Sequence, residues 1–321
     1  MMDRYEFARD GITQSLMGSF MACRVLCKWK LQRWTTTKIA GPMLYGNLFH
    51  AAQLHFYDNM TKTKAKEINP YDSVKFAERD QRKANKKMVW NSDDEQTFEI
   101  AVAMLEVMFP AYVYHYAKKD SKLKWIATEH EFDVPYRARS GAAQTTLRGK
   151  LDAMFETGKK KLWIRDTKTK SRIEEATLID LLTLDLQIGF YILAVELMMK
   201  RPVDGFLYDI VRRPELKLNA KETIGQFQKR IAADIKKRPE HYFKRLNMQL
   251  TAGDRARFQF DLNSVLWEFE SWLKGDSNYP TYHRTSACMT RYGACRYLPL
   301  CARKDYTGFI QRDDLFAELE G

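Results

Sequence analysis

Three charged residues on two neighbouring segments of this sequence could bind a metal ion and use it in catalysis. Asp152 lies in the run Thr145 to Phe155, while Asp166 and Lys168 end the run Lys161 to Lys168. Apolar residues alternate with polar ones in both runs, which predicts β-strands. Two carboxylates on adjacent strands can hold a hard divalent cation, and a lysine beside them can orient or help to deprotonate a metal-bound water. This is the chemistry of phosphodiester hydrolysis, although the three residues could also be ordinary charges at strand ends.

The period of two predicts which side of each strand these residues occupy. In the first strand four apolar residues would share one face: Leu147, Leu151, Ala153 and Phe155. Asp152 would then lie on the opposite face. In the second strand Leu162 and Ile164 lie on the same side as Asp166 and Lys168. An apolar face would thus end in an acid and an amine, which is unusual for a simple core strand.

Two pairs of residues at helical spacing could join the same chemistry. Gln187 and Tyr191 lie four positions apart in a helix predicted from Thr177 to about Met199. An amide and a phenol on one helix face could reach one phosphate or one water, or could simply form a hydrogen-bonded pair in the core. His50 follows Gly46 by four positions in another predicted helix. A lone helical histidine is more often structural than a metal ligand.

The elements that must position these residues form a helical segment, a three-stranded meander, a helix, a further strand and more helices. The predicted helices cover Ser15 to Trp34, Leu44 to Tyr57, a capping box at Ser92-Asp93-Asp94-Glu95 to about Tyr116, Thr177 to Met199, and Ala256 to Leu273. The predicted strands are Lys124 to Pro135, Thr145 to Phe155, Lys161 to Lys168 and Val203 to Val211, with turns at Arg139-Ser140-Gly141 and Thr157-Gly158-Lys159. The basic stretch 62 to 88 predicts an exposed helix or loop.

This order predicts an α/β (α+β) fold with an α-β-β-β-α-β core. The chain has no repeat and no linker that would divide it, so one domain over residues 1–321 is expected. Its parts would be a helical N-terminal region (1–120), a catalytic α/β core (121–213) and a helical C-terminal region (214–321). The helical extensions would flank a mixed sheet.

Composition predicts a globular protein with a polyanionic partner. The chain has 321 residues, of which 45% are hydrophobic, and its 53 Lys and Arg against 41 Asp and Glu give a net charge of +12. Nucleic acid is the leading candidate for the partner. The N-terminus shows no signal peptide, and no apolar run is long enough to span a bilayer without interruption. We therefore expect a cytoplasmic protein without a membrane partner.

Five cysteines lie near the two ends of the chain. Cys23 and Cys27 are close to the N-terminus, whereas Cys288, Cys295 and Cys301 share a C-terminal segment. Zinc knuckles use paired ligands close together, a pattern that is missing here. Four thiolates with a one-plus-three split are compatible with an iron–sulfur cluster that ties the two ends together, although free buried thiols are the alternative.

Four short motifs together resemble the RecB-type branch of the PD-(D/E)XK nucleases. They are Gly46xxxHis50, Gly149-Lys150-Leu151-Asp152, Asp166-Thr167-Lys168 and Gln187xxxTyr191, which follow one another on helix, strand, strand and helix. The resemblance runs from about Gly18 to Cys301. It implies a restriction-endonuclease-like core and a Mg²⁺- or Mn²⁺-dependent deoxyribonuclease, most typically an exonuclease in recombination, repair or phage DNA processing.

The resemblance also implies a role for each matching residue. His50, Asp152, Asp166 and the main-chain carbonyl of Thr167 would hold the cation. Lys168 would position the attacking water, and the remaining two residues, Gln187 and Tyr191, would steady the active site and the DNA backbone. Thr167 replaces the aromatic or aliphatic residue that is often found between the acid and the lysine.

Nucleases of this branch, including the AddB nuclease domain and CRISPR-associated and phage exonucleases, carry a 4Fe–4S cluster. The resemblance therefore implies that the cluster ligands are Cys23, Cys288, Cys295 and Cys301. Arg24 and Val25 replace the Pro-Arg that usually follows the first cysteine, so Cys27 stays open as the alternative first ligand. The implied partners are single- or double-stranded DNA and a helicase or annealing protein. A non-catalytic nucleic-acid-binding module and an unrelated basic scaffold are the competing hypotheses. The intact acids and lysine argue against the module, and the scaffold would leave the ordered cysteines and acids as a coincidence.

Overall fold

The fold was analysed in a computed structural model that describes residues 4–37, 41–63, 68–86, 90–138, 144–171, 175–275, 285–290, 293–316 and 319. In chain order its helices and strands are α1 Phe7–Asp10, β1 Ile12–Thr13, α2 Gln14–Ala22, α3 Arg24–Leu31, β2 Trp34–Thr36, α4 Gly41–Lys62, α5 Pro70–Ala84, α6 Ser92–Asp120, β3 Lys124–Arg137, β4 Gln144–Glu156, β5 Leu162–Lys170, α7 Glu175–Thr183, α8 Leu186–Met199, β6 Gly205–Arg212, α9 Ile224–Lys237, α10 Pro239–Tyr242, β7 Phe243–Gln249, α11 Ala252–Lys274, β8 Met289–Thr290, β9 Gly293–Ala294, α12 Leu298–Arg303 and β10 Phe309–Gln311.

A mixed six-stranded sheet forms the centre of the fold. Strands β3, β4 and β5 are successive antiparallel neighbours, β6 is parallel to β5, and β7 is antiparallel to β6. The short strand β1 pairs in parallel with β4. The parallel β5–β6 pair is connected through α7 and α8, as a crossover between parallel strands requires. The predicted α-β-β-β-α-β order and the α/β fold class are confirmed.

Helices cover the sheet on both faces and enclose two hydrophobic cores. The first core lies between the sheet and α2, α8 and α11, and contains Leu162, Ile164 and Phe206 from the strands. The second core lies between the sheet and α4, α6 and α9, and contains Phe155 and Leu207. Burial on both faces explains why β6 is a nearly continuous apolar run.

Helix α6 is the longest element of the second core. It is long and apolar enough to cross a membrane, but 61% of its most apolar window is buried inside the protein, as in the core helix of a folded domain. The absence of a membrane-spanning helix stays a prediction. Its capping box is formed by Asn91 and Asp94, one position earlier than the predicted box at Ser92, because Asn91 already accepts a backbone hydrogen bond from Asp94.

The predicted helix from Thr177 to Met199 is wrong as a single helix. The structure divides it into α7 and α8, which are bent by 46° at the break. The Asp185 carboxylate accepts the backbone N–H of Gln187 at 2.8 Å and so begins α8. An aspartate competes well for backbone donors at a helix start, which explains the break inside an apolar run.

The shared face predicted for the apolar residues of β4 is also wrong. Leu147 and Leu151 pack in the first core, whereas Ala153 and Phe155 pack in the second. Residues two apart therefore lie on opposite faces between Leu151 and Ala153, so a local irregularity interrupts the alternation of side chains there. Strand β7 extends the sheet although charged residues hid its apolar pattern. The predicted turn at 139–141 lies outside the described residues.

Candidate active site

The strands that carry the predicted catalytic acids separate just beyond their last pair, and the candidate site lies in that fork. β4 and β5 stop pairing after Ala153 and Arg165. The same antiparallel register sets Asp152 opposite Asp166, at the first position beyond the ladder. Asp152 Oδ2 accepts the backbone N–H of Thr167 at 2.6 Å. A carboxylate thus satisfies a main-chain donor near the point where the strands diverge.

The third strand at the fork is β3, which contributes Glu129. The ladder pairs on either side are Thr128 with Ala153 and His130 with Leu151. Glu129 therefore stands opposite Asp152, where the side chains of β4 change from one core to the other. Its φ of 43° lies in the left-handed region, which is uncommon for a residue with a side chain. Burial opposes ionisation of Glu129, but His50 and Lys150 together outweigh it and lower the pKa of the Glu129 carboxyl.

Helix α4 brings His50 to the two carboxylates. A Cβ on Gly46 would lie 3.1 Å from Thr169 Oγ1 of β5, so glycine permits a close approach of this helix to the strand. His50, one helical turn later, has its Nδ1 3.6 Å from Asp152 Oδ2 and 3.6 Å from Glu129 Oε1. Burial disfavours the charged imidazolium, but Asp152 and Glu129 outweigh it and raise the pKa of His50 to about 9.

Asp166 and Lys168 form a half-buried ion pair on the α8 side of β5. Lys168 Nζ donates to Asp166 Oδ1 at 2.9 Å. Although burial opposes its charge, the carboxylates of Asp166 and Asp152 raise the pKa of Lys168 above its usual value. Burial raises the pKa of the Asp166 carboxyl, with Asp152 acting in the same direction. Lys168 is therefore a cation at neutral pH, suited to orient a water and to balance negative charge.

Gln187 and Tyr191 lie on α8 next to this pair. Gln187 Nε2 donates to Tyr191 Oη at 3.2 Å, and the break before α8 places Gln187 in the first helical turn. Tyr191 packs edge-on against Phe132 of β3, with ring centroids 6.2 Å apart. Burial raises the pKa of the Tyr191 hydroxyl, and the nearby Asp166 acts in the same direction. The hydroxyl therefore stays protonated and can donate a hydrogen bond.

The predicted site residues come from four elements that meet at the fork. His50 and Asp152 join Glu129 in a group whose ligand atoms all lie within 4.8 Å of one another. Asp166 is held by Lys168 beside this group, and Thr167, which is fully buried, contacts Asp152 through its main chain.

The sequence patterns did not predict Glu129 as a site residue. They also did not predict that Lys150 pairs with it, with Lys150 Nζ 3.3 Å from Glu129 Oε2. Only the register of β3 against β4 could have indicated Glu129, and the sequence did not give that register.

The cysteines form a second candidate site at the far ends of the chain. The β8–β9 hairpin joins Cys288 to Cys295, whose backbone N–H donates to the Cys288 carbonyl at 2.8 Å. α12 carries Cys301, and β10 pairs with β2, which follows the helix after Cys23. The C-terminal cysteines are thereby brought to the N-terminal one.

Contacts around Cys301 support this grouping. The indole N–H of Trp29 donates to Cys301 Sγ at 3.2 Å. Burial raises the pKa of the Cys301 thiol, and the nearby thiols of Cys295, Cys23 and Cys288 act in the same direction. Cys27 instead is fully buried in the first core, and burial raises the pKa of its thiol to about 12. Val25, Trp29, Tyr297 and Leu300 pack in one apolar cluster with Cys23, Cys295 and Cys301.

Comparison with known proteins identifies one family. The model of the PD-(D/E)XK nuclease superfamily matches residues 19–302, a span that includes both candidate sites. No curated protein matches the chain. One solved structure, described as the crystal structure of SSO0001, is 11% identical with a TM-score of 0.32, over 72% of this chain and 96% of that chain. A similarity this low carries no argument about the site.

Proposed function

Because this chain belongs to the PD-(D/E)XK nuclease superfamily, we propose that it is a metal-dependent DNA nuclease, acting as an exonuclease, with its active site in the fork between β4 and β5. The observation that carries the proposal is that Asp152, paired with His50, accepts the backbone N–H of Thr167, the residue between the paired Asp166 and Lys168. An acid pair with a lysine is the donor set expected for hydrolysis of a phosphodiester.

The residues at the fork fit a hard divalent cation. His50 Nδ1 and Asp152 Oδ2 are 3.6 Å apart, a separation that two ligands at about 2.1 Å from one Mg²⁺ or Mn²⁺ can span. Burial and Asp152 raise the pKa of Asp166, and a nearby cation would favour the ionised carboxylate. We propose that His50, Asp152, Asp166 and the carbonyl of Thr167 hold it. When bound, it would stabilise charge on the phosphate and make a water more acidic.

The other polar residues would act on the substrate and the water. Lys168 is a cation that is too basic to serve as a proton acceptor, so it would orient the water and balance the charge that develops on the phosphate. Gln187 would hold the Tyr191 hydroxyl, which then donates toward a phosphate oxygen. Each group is fixed by a neighbour, which reduces the reorganisation that the reaction requires.

The net charge of +12 would supply the affinity for DNA. Attraction of this kind acts on the phosphate backbone and does not depend on base sequence. The basic helix α5 contributes less than its composition indicates, because Arg82 pairs with Glu95 of α6 at 2.9 Å. We propose DNA recombination, repair or phage DNA processing as the setting, with a helicase or a single-strand annealing protein as partner.

The experiment is digestion of end-labelled single- and double-stranded DNA by the purified protein. We expect cleavage that starts from a strand end in Mn²⁺ or Mg²⁺ and stops when a chelator is added. Internal fragments at the earliest times would contradict the exonuclease assignment. Binding without cleavage in either metal would overturn the nuclease proposal and favour a non-catalytic nucleic-acid-binding module.

We further propose that Cys23, Cys288, Cys295 and Cys301 hold a 4Fe–4S cluster. Three observations support the fit. Burial and the nearby thiols of Cys23, Cys288 and Cys295 raise the pKa of the Cys301 thiol, apolar residues pack around the group, and the Trp29 indole donates a hydrogen bond to Cys301 Sγ. Hydrogen bonds to sulfur and a protein shell are what tune such clusters.

The cluster has its own test. Protein purified without oxygen should be brown and contain iron and sulfide. Cys23→Ser should bleach it, whereas Cys27→Ser should leave the colour, because Cys27 lies in the core. Loss of the cluster opens a loop that spans most of the chain, so Cys295→Ser should cost about 4 kcal/mol of stability. Zinc without iron in the wild type would contradict the cluster.

A further inference from the structure

Glu129 lies where a cation ligand would lie, although no motif in the sequence selects it. Its Oε1 is 3.6 Å from His50 Nδ1, and Glu129, His50 and Asp152 each offer one atom within 4.8 Å of the other two. Three ligands at about 2.1 Å from one ion are separated by at most about 4.2 Å, so small side-chain adjustments bring all three onto one cation. The side chain is mostly buried, with 13% of its surface exposed.

The backbone conformation of Glu129 indicates that the carboxylate itself is needed at this position. At a φ of 43° a glycine would be relaxed, whereas glutamate adopts this region only where the surroundings hold it there. The residue sits opposite Asp152, at the level where β4 turns its side chains from one core to the other. The strained position therefore delivers a carboxylate to the fork from a third strand.

We infer that Glu129 is a further ligand of the catalytic cation, so that His50, Asp152 and Glu129 form one side of the coordination shell. The inference rests on the proposed nuclease function. Lys150 Nζ lies 3.3 Å from Glu129 Oε2 and supplies a positive charge that the bound cation would replace. Lys150 is then left as a cation beside the substrate phosphate.

The competing explanation is that Glu129 only pairs with Lys150 and His50. Two substitutions separate the explanations. If Glu129 only paired with Lys150 and His50, Lys150→Gln and Glu129→Gln would change the metal affinity of the site in the same direction. If Glu129 is a ligand, Glu129→Gln removes a donor, whereas Lys150→Gln removes a competitor for the same carboxylate, and the two have opposite effects on metal affinity.

The experiment measures Mn²⁺ binding to the full chain without DNA, from the electron paramagnetic resonance signal of free Mn²⁺. Glu129→Gln should weaken binding tenfold or more, and Lys150→Gln should leave it unchanged or strengthen it. Glu131→Gln, an exposed carboxylate two residues along the same strand, is the matched control and should bind as the wild type does.

The outcomes for Glu129 and for the nuclease proposal are distinct. Wild-type affinity in Glu129→Gln, together with weak binding in Asp166→Ala, would overturn the role of Glu129 and leave the metal site intact. Equal weakening by Glu129→Gln and Lys150→Gln would also overturn it. Failure of the wild type itself to bind Mn²⁺ would overturn the proposed function.

Discussion

Two groups of charged residues lie near β5, and they differ in how their charges are balanced. On the α4 and α6 side, Arg245 bonds Asp209 Oδ2 at 3.2 Å and Asp120 Oδ2 at 3.0 Å, while Tyr57 donates to Asp120 at 2.5 Å. We call Arg245, Asp120 and Asp209 the buried ion-pair network. Their side chains are 8%, 5% and 0% exposed. In this network the protein itself supplies the countercharges.

At the fork, the countercharges of the carboxylates are less buried than in the network. Asp152, Asp166 and Glu129 converge on one region, and their partners His50, Lys150 and Lys168 are each partly exposed. The adjacent residues Arg165 and Asp166 illustrate the contrast. Arg165 is fully buried and stacks on the Tyr57 ring at 4.1 Å, whereas Asp166 faces the fork. Removing one partner from the buried network leaves an uncompensated buried charge, whereas the carboxylates of the fork have partly exposed partners and are available to a ligand.

The largest expected effect follows from removing charge at the fork. Asp166→Ala should lower the rate of DNA cleavage on the order of a thousandfold, because a bound cation contributes several kcal/mol to the transition state. Lys168→Ala should do the same. DNA binding should persist, since the attraction is spread over many lysines and arginines. Single-turnover cleavage and a binding titration on the same preparation check both parts.

The second effect comes from the buried ion-pair network and concerns stability. Arg245→Ala leaves two carboxylates buried without their cation, which should cost about 3–5 kcal/mol of unfolding free energy. Urea unfolding measures this. Lys62→Ala is the control: it breaks an exposed pair with Asp58 and should cost only about 0.3–0.5 kcal/mol. Equal losses in the two variants would remove the distinction between the two groups.

The smallest effect tests the polar pair on α8. Gln187→Ala removes one hydrogen bond to Tyr191, so cleavage should fall about tenfold. Tyr191→Phe removes the same hydrogen bond together with the hydroxyl that would donate to the phosphate, so its loss should be at least as large. The double variant should be little slower than Tyr191→Phe alone, because Gln187 acts through that hydroxyl. Fully additive losses would mean that the two side chains act independently.

Much of the fold could be predicted from periodicity, and the misses have local physical causes. The meander and the parallel strand after it were predicted because β4, β5 and β6 have apolar patterns with turns between them. The break before α8 was missed because one aspartate, Asp185, interrupts a run that otherwise continues. Strand β7 was missed because Lys244 and Arg245 obscure its pattern, and Arg245 is buried only by virtue of its tertiary partners.

The residues of the candidate site could likewise be predicted only in part. Asp152, Asp166 and Lys168 could be found because spacing of two on neighbouring strands is visible in the sequence. Glu129 could not, since Glu131 in the same strand offers the same chemistry and only the register and the left-handed backbone select between them. Tertiary features of this kind leave no periodic signal in a single sequence.

The most direct test compares the same substitution on neighbouring strands: Asp166→Asn at the fork and Asp209→Asn in the buried ion-pair network. Cleavage of end-labelled DNA in Mn²⁺ is measured for each variant at a temperature where it is folded, with urea unfolding on the same preparations. The account predicts that Asp166→Asn stays as stable as the wild type and does not cleave, whereas Asp209→Asn loses about 3 kcal/mol of stability and cleaves when folded. Cleavage at the wild-type rate by Asp166→Asn would contradict the assignment of the fork as the active site.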